Sequence, residues 1–270
     1  ARWFRPGRGD EPKTIMYGGK EIPFGIDLLF DAVGFKVGIE ICEDLWMPIP
    51  PSSHQATAGA EILLNLSASN EIVAKNEYRR NLVSQQSGRC VAAYAYASCG
   101  PTESTSDLVF GGHSLIAYNG DIVCESSRVG DNNDGLVDFE SYCVHAVIDV
   151  EKLQHDRQVT TSFFNASTAK NYRTIKADCF TNKGSLDIVV NAHPFVPSDE
   201  KTLNNRCNEI IGITTAGLAK RLKHTSNDGA NKNKIVIGVS GGLDSTLALC
   251  TLYNVCNQLD MKDRILGITM

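Results

Sequence analysis

Two short stretches carry residue types whose spacing could do chemistry. The first is Ser240-Gly-Gly-Leu-Asp-Ser245, which follows the apolar run Lys234-Ile-Val-Ile-Gly-Val239. Gly241 and Gly242 can adopt positive φ and let backbone approach a ligand, so that consecutive N–H groups converge on an anion. A helix expected from Thr246 to about Val255 would add its positive end. The chemistry is phosphate binding. The loop has no lysine at the place required by G-x-x-x-x-G-K-[ST], which excludes a Walker nucleotidase. The glycine pair alone would equally make a tight strand-to-helix turn; Ser240, Asp244 and Ser245 are what favour phosphate.

The second stretch is Gly38-Ile-Glu-Ile-Cys-Glu-Asp-Leu-Trp46, where an apolar strand ends at Cys42 and a polar turn begins. A side chain there is exposed at the strand's end, and its own turn can offer N–H donors to an oxyanion. Cys42 is therefore a candidate nucleophile, with a buried structural thiol as the alternative.

Both stretches need strands to present them. From 35 to 252, short apolar runs alternate with amphipathic patterns, the signature of layered α/β architecture. Residues 35–41 and 60–66 read as strands buried on both faces, and 90–97 as another. Residues 70–87 suit a helix with apolar positions at Val73, Leu82 and Val83. Strands at 114–118 and 121–125 flank Asn119-Gly120, a hairpin signal because both residues accept positive φ. A strand at 143–150 would lead into a helix over 151–157. Such a sheet would carry helices on its outer face, and its inner face would need a partner. Periodicity is lost from 159 to 196, so the expected division is a domain at 1–160, a linker at 161–197 and a second domain at 198–270. Ser198 would cap a helix with Asp199 and Glu200 in its first turn. A last strand is expected at 265–268.

The 270 residues, 42% hydrophobic and 21% charged, describe an ordinary globular chain with room for one large or two modest domains. The 31 acidic against 26 basic residues give a net charge of −5, which argues against nucleic acid as the main partner. No segment approaches the roughly 18 to 20 apolar residues of a membrane span, and no secretory pattern opens the sequence. A cytoplasmic location without a membrane partner is expected. The 9 cysteines, mostly inside apolar runs and without a C-x-x-C pair, suit buried thiols rather than a structural zinc site.

The loop from Ser240 to Ser245 resembles the pyrophosphate loop of the N-type ATP pyrophosphatases, which adenylate several kinds of substrate. Glu40-Ile-Cys-Glu-Asp-Leu-Trp46, Ala60-Glu-Ile-Leu-Leu-Asn-Leu-Ser-Ala-Ser69 and the stretch 107–120 with Gly111-Gly-His-Ser114 resemble the nitrilase-type glutaminase domain of glutamine-dependent NAD synthetases. His193-Pro-Phe-Val-Pro-Ser-Asp199 and Ala216-Gly-Leu-Ala-Lys-Arg-Leu222 are similar to that family's linker and first synthetase helix. Together these motifs cover nearly the whole chain in the family's order.

The resemblance implies a partial nitrilase-like α-β-β-α sandwich, followed by the first strand, loop and helix of a Rossmann-like ATP pyrophosphatase domain. It also implies a carbon–nitrogen ligase with two reactions. The Cys42 thiolate would attack the side-chain amide of glutamine, giving a thioester and ammonia, and water would then release glutamate. ATP would adenylate the carboxylate of deamido-NAD with loss of pyrophosphate, and ammonia arriving through a protein channel would displace AMP to leave NAD. Gly238, Val239, Ser240, Gly241, Gly242, Leu243, Asp244 and Ser245 would bind ATP, and Asp244 would position Mg2+. Ser69, Lys75 and Glu43 would contact glutamine. Other roles stay open: Asp244 as a helix-terminal carboxylate, Ser69 as a strand-end cap, Lys75 as a solvated lysine and Glu43 as a surface carboxylate. His113 and His193 read as structural. The complete protein is expected to be a homo-oligomer.

The family pairs its cysteine with a glutamate base and an oxyanion-stabilising lysine, both ahead of the cysteine. Arg2-Trp-Phe-Arg-Pro-Gly7 resembles a segment that follows both, and Met270 closely follows the last strand, so the chain is expected to be a fragment cut at both ends. An ordinary thiol without a base is only a few per cent thiolate at neutral pH, and the fragment alone is expected to be inactive. A glutamine amidotransferase with another acceptor and a non-catalytic scaffold descended from such an enzyme are the competing readings.

Overall fold

The computed structural model describes residues 7, 9–103, 108–129, 131, 141–166, 170–177, 192–226 and 233–269. Of the positions singled out above, 2–6, Asp107 and Met270 lie outside them. The chain forms two compact units, Ala1–Ile188 and Val189–Met270.

In the first unit, β1 (Thr14–Tyr17) and β2 (Lys20–Pro23) pair as an antiparallel ribbon. The main sheet contains β3 (Leu28–Asp31), β4 (Lys36–Ile41), β5 (Ile62–Ser67), β6 (Ala93–Ser98), β7 (Leu115–Tyr118), β8 (Asp121–Glu125) and β9 (Arg173–Lys176). Its order is β8-β7-β6-β5-β4-β3-β9. β4, β5 and β6 run parallel, with Ile41 opposite Leu66 and Ser67 opposite Ser98, so the residues that follow them gather at one rim. The Asn119-Gly120 turn joins β7 to β8 with φ of +48° and +101°, as its residue types require.

Two helices, α1 (Pro51–Thr57) and α2 (Lys75–Cys90), cover one face of this sheet. That face buries Glu40, Leu63, Asn65, Tyr94, Tyr96, Leu115 and Ala117. A Cβ at Gly38 would overlap the Gln55 side chain, whose amide donates to the Ile39 carbonyl at 2.7 Å, so glycine is what lets α1 approach β4. Burial alternates along β4 and β5 instead of covering both faces, and Ile39, Ile41 and Leu66 are 37%, 63% and 57% exposed. An unbroken apolar run reads the same whether one face or both are covered.

Other expectations are corrected by local detail. α2 starts at Lys75 because Ala74 sits at φ +65°, and Val73, expected on its apolar stripe, is fully exposed. Cys90 ends α2 rather than opening β6, since Val91 turns left-handed at φ +45°. Residues 143–149 form no strand; their alternation specifies a pleat but no partner. They lead to α3 (Val150–Val159), capped by Asp149, which accepts the Lys152 N–H at 2.9 Å. The stretch assigned to a linker contains α4 (Thr161–Asn165) and β9, and β9 pairs in parallel with β3, so this part is built into the sheet.

The second unit holds α5 (Glu200–Ser226), β10 (Ile235–Gly238), α6 (Leu243–Gln258) and β11 (Ile265–Ile268), with β10 and β11 parallel. Asp199, not Ser198, caps α5 by accepting the Thr202 N–H at 2.8 Å. α6 starts at Leu243, ahead of the expected Thr246, which puts Asp244 and Ser245 in its first turn.

Glu40 is buried beside the end of β4, where its carboxylate accepts the Ser52 N–H at 2.7 Å and the Tyr94 hydroxyl. Burial raises its pKa above the usual 4.5, against the hydrogen bonds that favour the anion. The folded state therefore holds this proton more tightly than the unfolded state. The stabilisation is present below 4.5 and is lost as pH climbs through the raised folded value. Glu40→Gln should flatten that fall. Urea unfolding of parent and variant from pH 4 to 8 checks it, and parallel pH profiles would refute the assignment.

Candidate active site

Cys42 opens a single 3-10 turn, Cys42–Trp46, directly beyond β4 and has φ +52°. Its N–H donates to Asn65 Oδ1 at 3.1 Å, and its carbonyl accepts from Asn65 Nδ2 at 3.3 Å. Ser67 Oγ donates to the same Oδ1 at 2.8 Å, and the Ile41 N–H donates to Asp44 Oδ2 at 2.9 Å. The Cys42 N–H is thus occupied. Helical geometry gives the next N–H, that of Glu43, no partner within the turn, which suits it to an oxyanion. Cys42 is half-buried and the Glu43 residue is exposed.

Ser69 lies buried just past β5, one strand over from Cys42. Lys75 is not a solvated lysine: its Nζ donates to the Asn70 carbonyl and to Asn70 Oδ1, both at 2.8 Å, and lies 5.2 Å from the Trp46 ring centre. Trp46 in turn stacks on Tyr78 at 5.3 Å. Burial, and then the Arg79 charge, hold the Lys75 pKa below its ordinary value, while Glu71 and Cys42 act in the other direction. Burial pushes the Cys99 thiol up, with Glu103 and Cys42 adding to the effect. Cys42, Lys75 and Cys99 therefore share one electrostatic neighbourhood.

Beneath this rim runs a buried charged network. Arg79, wholly buried, donates to Glu71 Oε2 at 2.8 Å and contacts His113 Nδ1 at 2.9 Å. His113 Nε2 meets Glu125 Oε1 at 2.8 Å, and Arg80 reaches the other Glu125 oxygen at 3.1 Å. A guanidinium can only donate, so His113 Nδ1 accepts and Nε2 carries the proton toward Glu125. Burial lowers the His113 pKa, in keeping with a neutral ring. His113 joins this network through partners 34 and 12 residues away, which follow no local spacing. Sequence reasoning also missed Asn65, Arg79 and the Trp46–Tyr78 stack. A polar residue inside Leu63-Leu64-Asn65-Leu66 was the available signal for the first.

In the second unit, Gly238 ends β10, Val239 donates its N–H to the Ile268 carbonyl at 2.8 Å, and Gly242 precedes α6. Gly241 has φ +88° with open space where a Cβ would stand. Ser240 Oγ and Ser245 Oγ are 3.3 Å apart, and the Ser245 and Thr246 hydroxyls donate to the Gly242 carbonyl at 3.0 and 2.9 Å. Leu243 and Asp244 are exposed in the first turn of a 16-residue helix. An open glycine backbone at a helix start fits an anion. Among the described residues, no group of three or more His, Cys, Asp or Glu side chains could hold a metal ion. A lone carboxylate still suits magnesium, which completes its shell with phosphate and water oxygens.

A family model described as carbon-nitrogen hydrolase matches residues 2–141. A curated glutamine-dependent NAD(+) synthetase of Mycobacterium tuberculosis (strain ATCC 25618 / H37Rv) is 39% identical over 261 residues, covering 92% of this chain and 36% of its own length. The Homo sapiens protein of the same name is 27% identical over 268 residues, 96% of this chain and 35% of its own length. The crystal structure of a glutamine-dependent NAD(+) synthetase from Cytophaga hutchinsonii aligns at 30% identity and a TM-score of 0.40, over 49% of this chain and 21% of that one. The chain thus spans little more than a third of the length of the curated relatives it matches.

Removing one partner of a buried ion pair strands the other's charge, at a cost of about 3 to 5 kcal/mol, whereas an exposed pair contributes about 0 to 1 kcal/mol. Arg79→Ala should therefore destabilise the first unit by several kcal/mol and the neighbouring Arg80→Ala by less than about 1. Urea unfolding of the two variants side by side measures the contrast, and equal losses would contradict it.

Proposed function

Since this chain belongs to the carbon-nitrogen hydrolase family, we propose that it forms part of a glutamine-dependent NAD synthetase, in which Cys42 releases ammonia from glutamine and the 240–245 loop binds the ATP that activates deamido-NAD. The observation that carries this reading is a match to a protein of that name at 39% identity over 92% of the chain, a span long enough to take in both sites.

In the first reaction, Cys42 Sγ adds as thiolate to the amide carbon of glutamine, and the carbonyl electrons move onto oxygen, where the Glu43 N–H can donate. Collapse re-forms the C=O bond and breaks the C–N bond. The nitrogen takes up a proton and leaves as ammonia, and the thioester remains. Water then adds to the thioester, sulfur departs as thiolate, and glutamate is released. The Glu43 carboxylate suits the substrate ammonium group. Lys75 spends two N–H groups on Asn70 and has a third to offer the substrate carboxylate. Ser69 would supply a hydroxyl to the same substrate. Glu40 is already committed to Ser52 and Tyr94.

In the second reaction, β10, the loop, α6 and β11 suit the opening of a Rossmann-like ATP pyrophosphatase domain. Gly238, Val239, Ser240, Gly241, Gly242, Leu243 and Ser245 would line the ATP phosphates, and Asp244 would hold Mg2+, which when bound would neutralise phosphate charge. The deamido-NAD carboxylate attacks the α-phosphorus and pyrophosphate leaves. Ammonia then attacks the acyl carbon and AMP departs, giving NAD. A cytoplasmic homo-oligomer belongs to the same proposal. The eight described cysteines are free thiols, and among the described residues no helix is long and apolar enough to cross a membrane.

The longer protein carrying this chain should make NAD from deamido-NAD, ATP and glutamine. Cys42→Ala should abolish synthesis from glutamine while sparing synthesis from added ammonium. Gly241→Ala forces a side chain into φ +88°, a strain of roughly 1 to 2 kcal/mol, and should raise the KM for ATP about tenfold with either nitrogen source. The 270-residue chain alone should release ammonia from glutamine no faster than its Cys42→Ala variant. No turnover by the longer protein with either nitrogen source would favour the scaffold reading.

A further inference from the structure

A cysteine at φ +52° occupies left-handed backbone that costs a non-glycine residue roughly 1 to 2 kcal/mol, and its surroundings must hold it there. We propose that Asn65 is a positioning residue that splints the nucleophile's backbone, an inference that rests on reading Cys42 as the nucleophile. From the neighbouring strand, the planar amide of Asn65 grips both polar groups of Cys42. Oδ1 accepts the N–H at 3.1 Å and Nδ2 donates to the carbonyl at 3.3 Å. Two bonds from one rigid group fix the rotation of a residue that a single bond would leave free.

The splint is itself held. Asn65 is 1% exposed, so water cannot replace these bonds. Ser67 Oγ donates to Oδ1 at 2.8 Å from the same strand. From β6, the Tyr94 hydroxyl donates to Glu40, two residues before Cys42. The hold on the residue that follows β4 thus comes from β5. Its consequence is directional: Sγ is turned out of the line of β4, and with the Cys42 N–H consumed, the Glu43 N–H is the donor left for the oxyanion. Aspartate could accept but not donate, leucine could do neither, and glutamine is too long for the same reach.

The test uses the longer protein, with glutamate release as the readout. Asn65→Ala should lower kcat by about 10- to 100-fold and keep KM within about twofold, because the groups that bind glutamine are untouched while the reacting atoms lose alignment. Asn65→Asp keeps the acceptor for the Cys42 N–H and should lose less. Alkylation of Cys42 by iodoacetamide needs its thiolate but no oxyanion donor, and its rate should change by less than about threefold. A merely structural asparagine would lower turnover, labelling and folded fraction together and leave kcat per labelled site at the parent value, which overturns the proposal. Should neither variant fold, Ser67→Ala decides, since it removes only a bond that Asn65 receives. A kcat loss of about two- to fivefold at constant KM supports the splint, and a parent-like kcat overturns it. Cys42→Ala separates the two levels. Glutamine turnover that survives it removes the nucleophile and this proposal together, whereas turnover lost with Cys42 but indifferent to the Asn65 and Ser67 variants removes the splint alone.

Discussion

The parallel alignment of β4, β5 and β6 is the constraint on which the first unit's chemistry depends. Parallel strands in register end at one rim, and here that rim receives Cys42 from β4, Ser69 from beyond β5 and Cys99 from β6. Side chains from distant parts of the sequence thus meet without a long loop to carry them. The rim is rigid because the strands behind it are packed on one face by α1 and α2, with Leu63, Tyr94 and Leu115 fully buried. Burying a side chain such as Leu63 contributes roughly 1.5 to 3 kcal/mol, so the covering helices stabilise the sheet that presents the site.

That packed face is unusually polar near the rim. Glu40, Asn65, Arg79 and His113 are all nearly inaccessible. Each would cost several kcal/mol if left without partners, and each has them: Ser52 and Tyr94 for Glu40, Cys42 and Ser67 for Asn65, Glu71 for Arg79, Glu125 for His113. An apolar core could repack with little penalty, but a paired polar one tolerates few alternatives. The network fixes geometry where the chemistry needs it, at the ends of β4 and β5 and at the start of α2.

Local signals in the sequence reached as far as their own range. The hairpin at Asn119-Gly120, the strand before Cys42 and the glycine loop each follow from a few adjacent residues, and each stands where those residues place it. What adjacent residues could not convey is partnership. The apolar runs of β4 and β5 do not say which face a helix will cover, the alternation at 143–149 does not say that no described strand pairs with it, and β9 gains its place only by pairing with β3. Arg79 and His113, 34 residues apart, illustrate the same limit for side chains. Asn65 was legible as an anomaly, a polar residue in an apolar run, but its role needed the register that sets it beside Cys42.

The two candidate sites solve one backbone problem in opposite ways. Both place a residue with positive φ where a strand gives way to a helical turn. At Gly241 the side chain is dispensable, and glycine takes φ +88° without strain or support, with open space around it. At Cys42 the side chain is the proposed reagent, so glycine would not serve there and the strain at φ +52° must be offset from outside the residue. The phosphate loop can therefore stand on its own short sequence, recognisable from six residues. The cysteine turn cannot, because what holds it comes from the next strand, 23 residues away.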